Sequence, residues 1–208
     1  MDEHSLTGTK ELIFDAFIEM TSALGYENVS IRDIAKKVGI NSASIYYHFE
    51  NKGEILQDAY EYYEMHQFDN RKSVDEMKAM LETENAEDIV RTFFYTFVTE
   101  DQKKYVRMIL ITKIIYMRLF QDPVANAMFL DANRDNAEFV TVSLRHAIDV
   151  GRVDPEFDIE VFADVLIGSM EVMGIKAFAS PEYVVAQLDQ EKRILSLLAR
   201  LLSTSFLY

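Results

Sequence analysis

From Glu54 to Val150 the chain has no glycine and a single proline, Pro123, and this scarcity of breakers constrains the fold more than any other feature. A β-sandwich or barrel needs a turn roughly every 8–12 residues. Apolar residues here recur instead at the spacing of a helix with one buried face. Hydrophobic residues make up 49% of the 208, enough to give such helices a core. The expected fold class is all-α.

Helix signals divide the chain. Leu12, Ile13, Ala16, Phe17, Met20 and Leu24 place a first helix over Thr9 to Leu24, closed by Gly25. Ser30 with Asp33 three residues on reads as a capping box, opening a short helix from Ile31 to Val38 that ends at Gly39. Asn41 caps a second short helix, Ser42 to His48, and Asn51 opens a fourth that runs towards His66. Further on, "AEDIVRTFFYTFVTE" and "KKYVRMILITKIIYMRLF" are amphipathic, and Pro123 opens a long segment ending at Gly151. Ile159 to Phe178 and Glu182 to Leu202 are the last two helices, with Ser180 and Pro181 as cap and first-turn residue. The expected domains are 1–56 and 57–208, joined through a continuous helix.

Zero cysteines exclude disulfides and thiolate metal sites. The acidic, polar start and the lack of an apolar run approaching ~18 residues lead to the expectation of a soluble cytoplasmic protein. Catalysis is not expected. The residues three before His48, His66 and His146 are Ile45, Tyr63 and Ser143, so no Glu-x-x-His pair exists. No glycine-rich phosphate loop, nucleophile elbow or HExxH is present, and neither metal nor cofactor is expected.

The formal net charge of −14 argues against a polyanionic partner until it is split. Ser30 to Lys52, "SIRDIAKKVGINSASIYYHFENK", carries four cations and two anions, so the acid excess lies elsewhere. Phosphate attraction is decided within about a Debye length, roughly 8–10 Å. Two short helices joined through Gly39-Ile40-Asn41 match a helix-turn-helix. If Ile45 and Phe49 point inward, Ala43 and Tyr47 point outward, flanked by Ser44 and Tyr46, with Ser42 and His48 nearer the buried side. That outward set holds hydroxyls, a methyl and two phenols suited to base edges and phosphates, and no acid. Lys52, at the start of the next helix, is placed to face a phosphate. Taken alone, Tyr46 and Tyr47 would serve equally as core aromatics, and Lys36 and Lys37 as a solvated face.

The first ~60 residues resemble the DNA-binding domain of TetR-family transcriptional regulators. The resemblance rests on Ile34-Ala35, Gly39, Tyr46, Phe49, Lys52 and Ile55-Leu56, with Gly53 as a departure at the helix start. It implies that Arg32, Ser42, Ser44, Tyr46, Tyr47, His48 and Lys52 face double-stranded DNA. A weaker likeness covers Ala147 to Gly174, where many members begin their dimerisation helices. The expected architecture is therefore a three-helix head followed by a helical ligand-binding and dimerisation domain.

Ile159 to Phe178 carries two apolar stripes, one with Ile159, Phe162, Leu166 and Met173, the other with Val161, Val165, Val172 and Ile175. Two faces suggest a core on one side and a partner copy on the other. The expected interface comprises Leu166, Ser169 and Met173 with Leu188, Leu195, Leu198 and Leu202 of the last helix. A small apolar or aromatic effector is implied by the resemblance, with candidate lining residues Phe94, Tyr95, Met108, Ile111, Tyr116, Met117 and Phe120, all equally suited to plain core. The expected function is a homodimeric repressor released from a palindromic operator by that ligand. The alternative is a TetR-like regulator or adaptor controlled by a protein partner.

Overall fold

The computed structural model describes residues 6–94, 101–179 and 181–206, with the backbone alone for 181–191. Among the described residues the structure is helical apart from one isolated antiparallel bridge between Val153 and Phe206. It divides into two compact units.

The first unit is formed by Met1–Asp69 together with Thr99–Phe129. Helix α1 (Gly8–Leu24) buries Ile13, Phe14, Phe17 and Ile18, and a 3-10 turn, Tyr26–Asn28, leads to α2 (Ile31–Val38). The Ser30 box forms as expected: Asp33 N–H donates to Ser30 Oγ at 3.3 Å, and Ser30 N–H to Asp33 Oδ2 at 3.0 Å. Gly39 ends α2 at φ 80° and ψ 29°, a left-handed conformation that a side chain would strain. Asn41 caps α3 (Ser42–Tyr46) by accepting from Ser44 N–H at 2.8 Å. Asn51 does the same for α4 (Lys52–His66), accepting from Glu54 N–H at 3.1 Å. Ile34, Ala35, Ile45, Phe49, Ile55 and Ala59 close the core of this head.

Helix α7 (Gln102–Arg118) and the opening turns of α8 (Pro123–Asp149) belong to the same unit. Met108, Ile111, Ile114 and Ile115 of α7 pack into the core that α1 and α4 build. The unit is thus larger than the 1–56 head expected from sequence. Its chain boundary falls at Asp69, beyond α4, because α4 buries Tyr60 and Tyr63 here as well.

The second unit comprises Asn70–Val98 and Leu130–Tyr208. Helix α5 (Val74–Thr83) was not anticipated, although Ser73 and Glu76 form a capping box that signals it, with bonds of 3.2 and 2.8 Å. Its Met77 and Leu81 meet Ile89, Val90 and Phe93 of α6 (Ala86–Phe94). The remainder of α8 adds Phe139, Val140 and Leu144. α9 (Ile159–Ala179) adds Phe162 and Leu166, and α10 (Pro181–Thr204) adds Leu195, Leu198 and Leu202.

Candidate nucleic-acid interface

Ile45 and Phe49 are fully buried, so α3 is anchored on one side and free on the other. Ala43 is exposed, Tyr46 is exposed, and Tyr47 keeps 86% of its surface in contact with solvent. The core reading of the two phenols is thereby removed. Ser42, Ser44 and His48 are half-buried, and the Tyr47 and His48 rings meet edge to face with centroids 5.2 Å apart. α3 is shorter than expected and stops at Tyr46. His48 N–H bonds back to Ile45 O at 2.9 Å, and this tighter i to i+3 bond closes the last turn.

An open depression of about 530 Å³ lies on this side, lined by Thr9, Ile40, Asn41, Ala43, Ser44, Tyr47 and His48. No acidic side chain lines it. Thr9 brings the first turn of α1 to the same surface, a long-range placement that residues 30–52 could not reveal. At that end of α1 the cap residue Thr7 makes no side-chain cap bond.

The cations sort into two groups. Arg32 and Lys36 are exposed on α2. Lys37 pairs with Glu19 at 2.6 Å, and Lys10 pairs with Asp58 at 2.9 Å. Lys52 does not extend towards solvent as the sequence suggested. Its ammonium donates to Tyr26 O at 2.7 Å and Val29 O at 2.9 Å, and it stands 3.9 Å from the Tyr26 ring centroid. Tyr26 O also accepts the closing bond of the 3-10 turn from Val29 N–H at 3.3 Å, and its remaining lone pair together with Val29 O draws the cation inward. The departure at Gly53 leaves α4 intact, since Asn51 still caps it; a Cβ at Gly53 would stand 2.9 Å from Asn51 Oδ1.

The expected dimer set is corrected by burial. Leu166, Met173, Leu195, Leu198 and Leu202 lie inside the core of the second unit, none more than 6% exposed, and cannot face a second copy. Ser169 is half-buried and donates to Val165 O at 2.7 Å, while the Leu188 side chain lies outside the described residues. The exposed stripe of α9 is the other one, Val161, Val165, Val172 and Ile175, with Leu197 and Leu201 exposed on α10.

The candidate pocket residues do not form one set. Phe94 belongs to the core of the second unit, and Met108 and Ile111 to that of the first. Tyr116 packs on Phe129 with ring centroids 5.7 Å apart, Met117 and Phe120 stand exposed, and Tyr95 lies outside the described residues.

Sequence reasoning missed Arg107. It is 8% exposed on α7 and clamps α1 through bonds to Asp15 at 2.7 and 3.0 Å and to Glu11 at 2.8 Å. Hydrogen bonds from Lys103 and then Arg107 hold the Glu11 carboxyl below its ordinary value.

Residues 13–59 match the family described as bacterial regulatory proteins, tetR family. Over 99 residues the chain is 32% identical to the biofilm operon icaADBC HTH-type negative transcriptional regulator IcaR of Staphylococcus aureus, covering 48% of this chain. The chain spans about half the length of that curated relative, 50%. Among solved structures, a TetR family transcriptional regulator from Cytophaga hutchinsonii aligns over 100% of both chains with a TM-score of 0.64 and 14% identity. The complex of SmeT, a Stenotrophomonas maltophilia efflux-pump repressor, with triclosan aligns over 90% of this chain and 88% of that one, with a TM-score of 0.59 and 20% identity. At such identities the structures establish a shared fold.

Proposed function

We propose that this chain, a TetR-family protein by its N-terminal domain and its fold, is a DNA-binding transcriptional regulator that acts as a homodimeric repressor. The observation that carries the reading is the open face of α3: Ala43 and Tyr47 stand free over Ile45 and Phe49, and the groove they line includes the first turn of α1. A methyl, a phenol and serine hydroxyls read base edges in a major groove, while the first turn of α1 and the exposed Arg32 and Lys36 hold the backbone. The overall acid excess is compatible with this. Screening confines the effect of distant carboxylates to roughly 8–10 Å, and the groove itself is free of them.

Homodimerisation draws on the exposed stripe of Val161, Val165, Val172 and Ile175 with Leu197 and Leu201, an apolar face that a single copy leaves in water. Two heads then meet half-sites about one helical turn apart, ~34 Å, so the operator is a near-palindrome. Repression follows the negative regulator IcaR, and release by a small molecule follows the SmeT–triclosan complex. Such a ligand acts by favouring one head separation over the other.

Selection from a random duplex library by the purified protein, followed by footprinting, tests the reading. The expected product is an inverted repeat protected on one face of the duplex. Recovery of no enriched sequence above non-specific binding refutes it.

A further inference from the structure

Three elements of the first unit converge on one aromatic ring. Tyr26 lies in the 3-10 turn between α1 and α2. Lys52, the first residue of α4, holds the Tyr26 and Val29 carbonyls and stands over the ring at 3.9 Å. Arg118, the last residue of α7, stands over the same ring at 4.3 Å. Arg118 Nε also donates to Asp122 Oδ2 at 3.0 Å, and that oxygen accepts from Tyr60 Oη at 2.9 Å. Tyr60 is on α4, about two turns beyond Lys52, so the chain of contacts closes on itself. Burial works against the Asp122 charge, but the bonds from Arg118 and Tyr60 outweigh it and hold the carboxyl below its usual range.

The place of this ring in the head gives it leverage. The turn that holds Tyr26 leads directly to Ser30, the cap of α2, and Lys52 follows closely on Phe49, which seats the end of α3. A cation over an aromatic face is attractive over a short range and is lost when either partner moves by a few ångströms. We propose that Tyr26 is a positioning joint: gripped by Arg118 from α7 and Lys52 from α4, it makes the placement of the end of α7 set the placement of α3. Its regulatory meaning rests on the reading of α3 as the DNA-contacting element. A ligand that displaces α7 then reaches the DNA through this joint, without touching it.

Amide hydrogen exchange on the intact protein tests the joint without DNA. The reporting amides are those of Ser44, in the first turn of α3, and of His48 and Phe49, which bond back to Ile45 O just beyond its end, at 3.1, 2.9 and 2.9 Å. Tyr26→Leu removes the ring and leaves both carbonyls to Lys52; Arg118→Met removes the cation. Each is expected to speed exchange at these three amides about fivefold. The double variant should be no faster than the faster single one, because both break one joint. Tyr26→Phe and Arg118→Lys, which keep the ring and the cation, should restore slow exchange. Faster exchange confined to residues 26–30 and 118–122, an equal rise throughout α1, or additive effects would each overturn the proposal. DNA binding measured alongside separates the two readings. Absence of binding by the unaltered protein sinks the regulator, while exchange still decides the joint.

Discussion

Replacing Arg107 with methionine keeps an apolar stem of similar length and removes a charge that is 8% exposed and bonded three times to α1. Breaking a buried ion pair by deleting one partner costs about 3–5 kcal/mol, because the remaining charge is left without compensation. Here two features reduce that figure. The Glu11 and Asp15 side chains keep 27% and 33% of their exposure, and Lys103 stays within 2.6 Å and 3.6 Å of them. The expected loss is therefore about 1.5–3 kcal/mol, which for a chain of this size lowers Tm by roughly 3–12 °C. Urea denaturation followed by circular dichroism, at one protein concentration, measures it. Arg107→Lys should fall in between, since an ammonium cannot make the forked contact with Asp15. The cost should also depend on pH. Glu11 has a depressed folded value, so its contribution is fully present above the unfolded value, about 4.3, and is lost as pH falls through the lower folded one. The gap between the two proteins should then narrow as pH falls through the depressed Glu11 value. A cost below about 0.5 kcal/mol at pH 7, or a gap undiminished by acid, would refute the clamp.

Four further outcomes are expected. Tyr47→Ala should weaken specific DNA binding by about 1–3 kcal/mol with an unchanged melting temperature, because the side chain is 86% exposed. Val165→Asp should yield folded monomers in sedimentation, whereas Leu166→Asp, in a fully buried position, should unfold the second unit; a dimer that survives Val165→Asp removes the proposed face. Lys52→Met should lower thermal stability and leave the salt dependence of DNA binding unaltered, and a shallower slope would return its ammonium to a phosphate. Gly39→Ala should cost about 1–2 kcal/mol in denaturant titrations. No atom lies within 4 Å of the added carbon, so the φ of 80° alone sets that penalty.

Local signals are legible in the chain itself. Ser30, Gly39, Asn41 and Asn51 act within a turn of themselves, and each caps or ends the helix expected of it. The inward placement of Ile45 and Phe49 followed from helical period, and so did the exposure of Tyr47. The Lys52 contacts are not legible in the sequence because its partners, the Tyr26 and Val29 carbonyls, lie far back in the chain and become adjacent only when the turn packs against α4. The capping box at Ser73 makes α5 equally legible in the sequence.

The two stripes of α9 mark the limit most clearly. Spacing alone shows that this helix has two apolar faces of four residues each, and spacing does not say which one its own chain covers. That choice is made by the packing of α6 and α10, which enclose Leu166 and leave Val165 in water. The order of residues determined the helical class, the caps and the free face of α3, since these depend on neighbours a few positions apart. Tertiary packing decided which stripe stays open, that Arg107 clamps α1, and that Lys52 and Arg118 meet at Tyr26, because each joins groups that only the folded chain brings within reach.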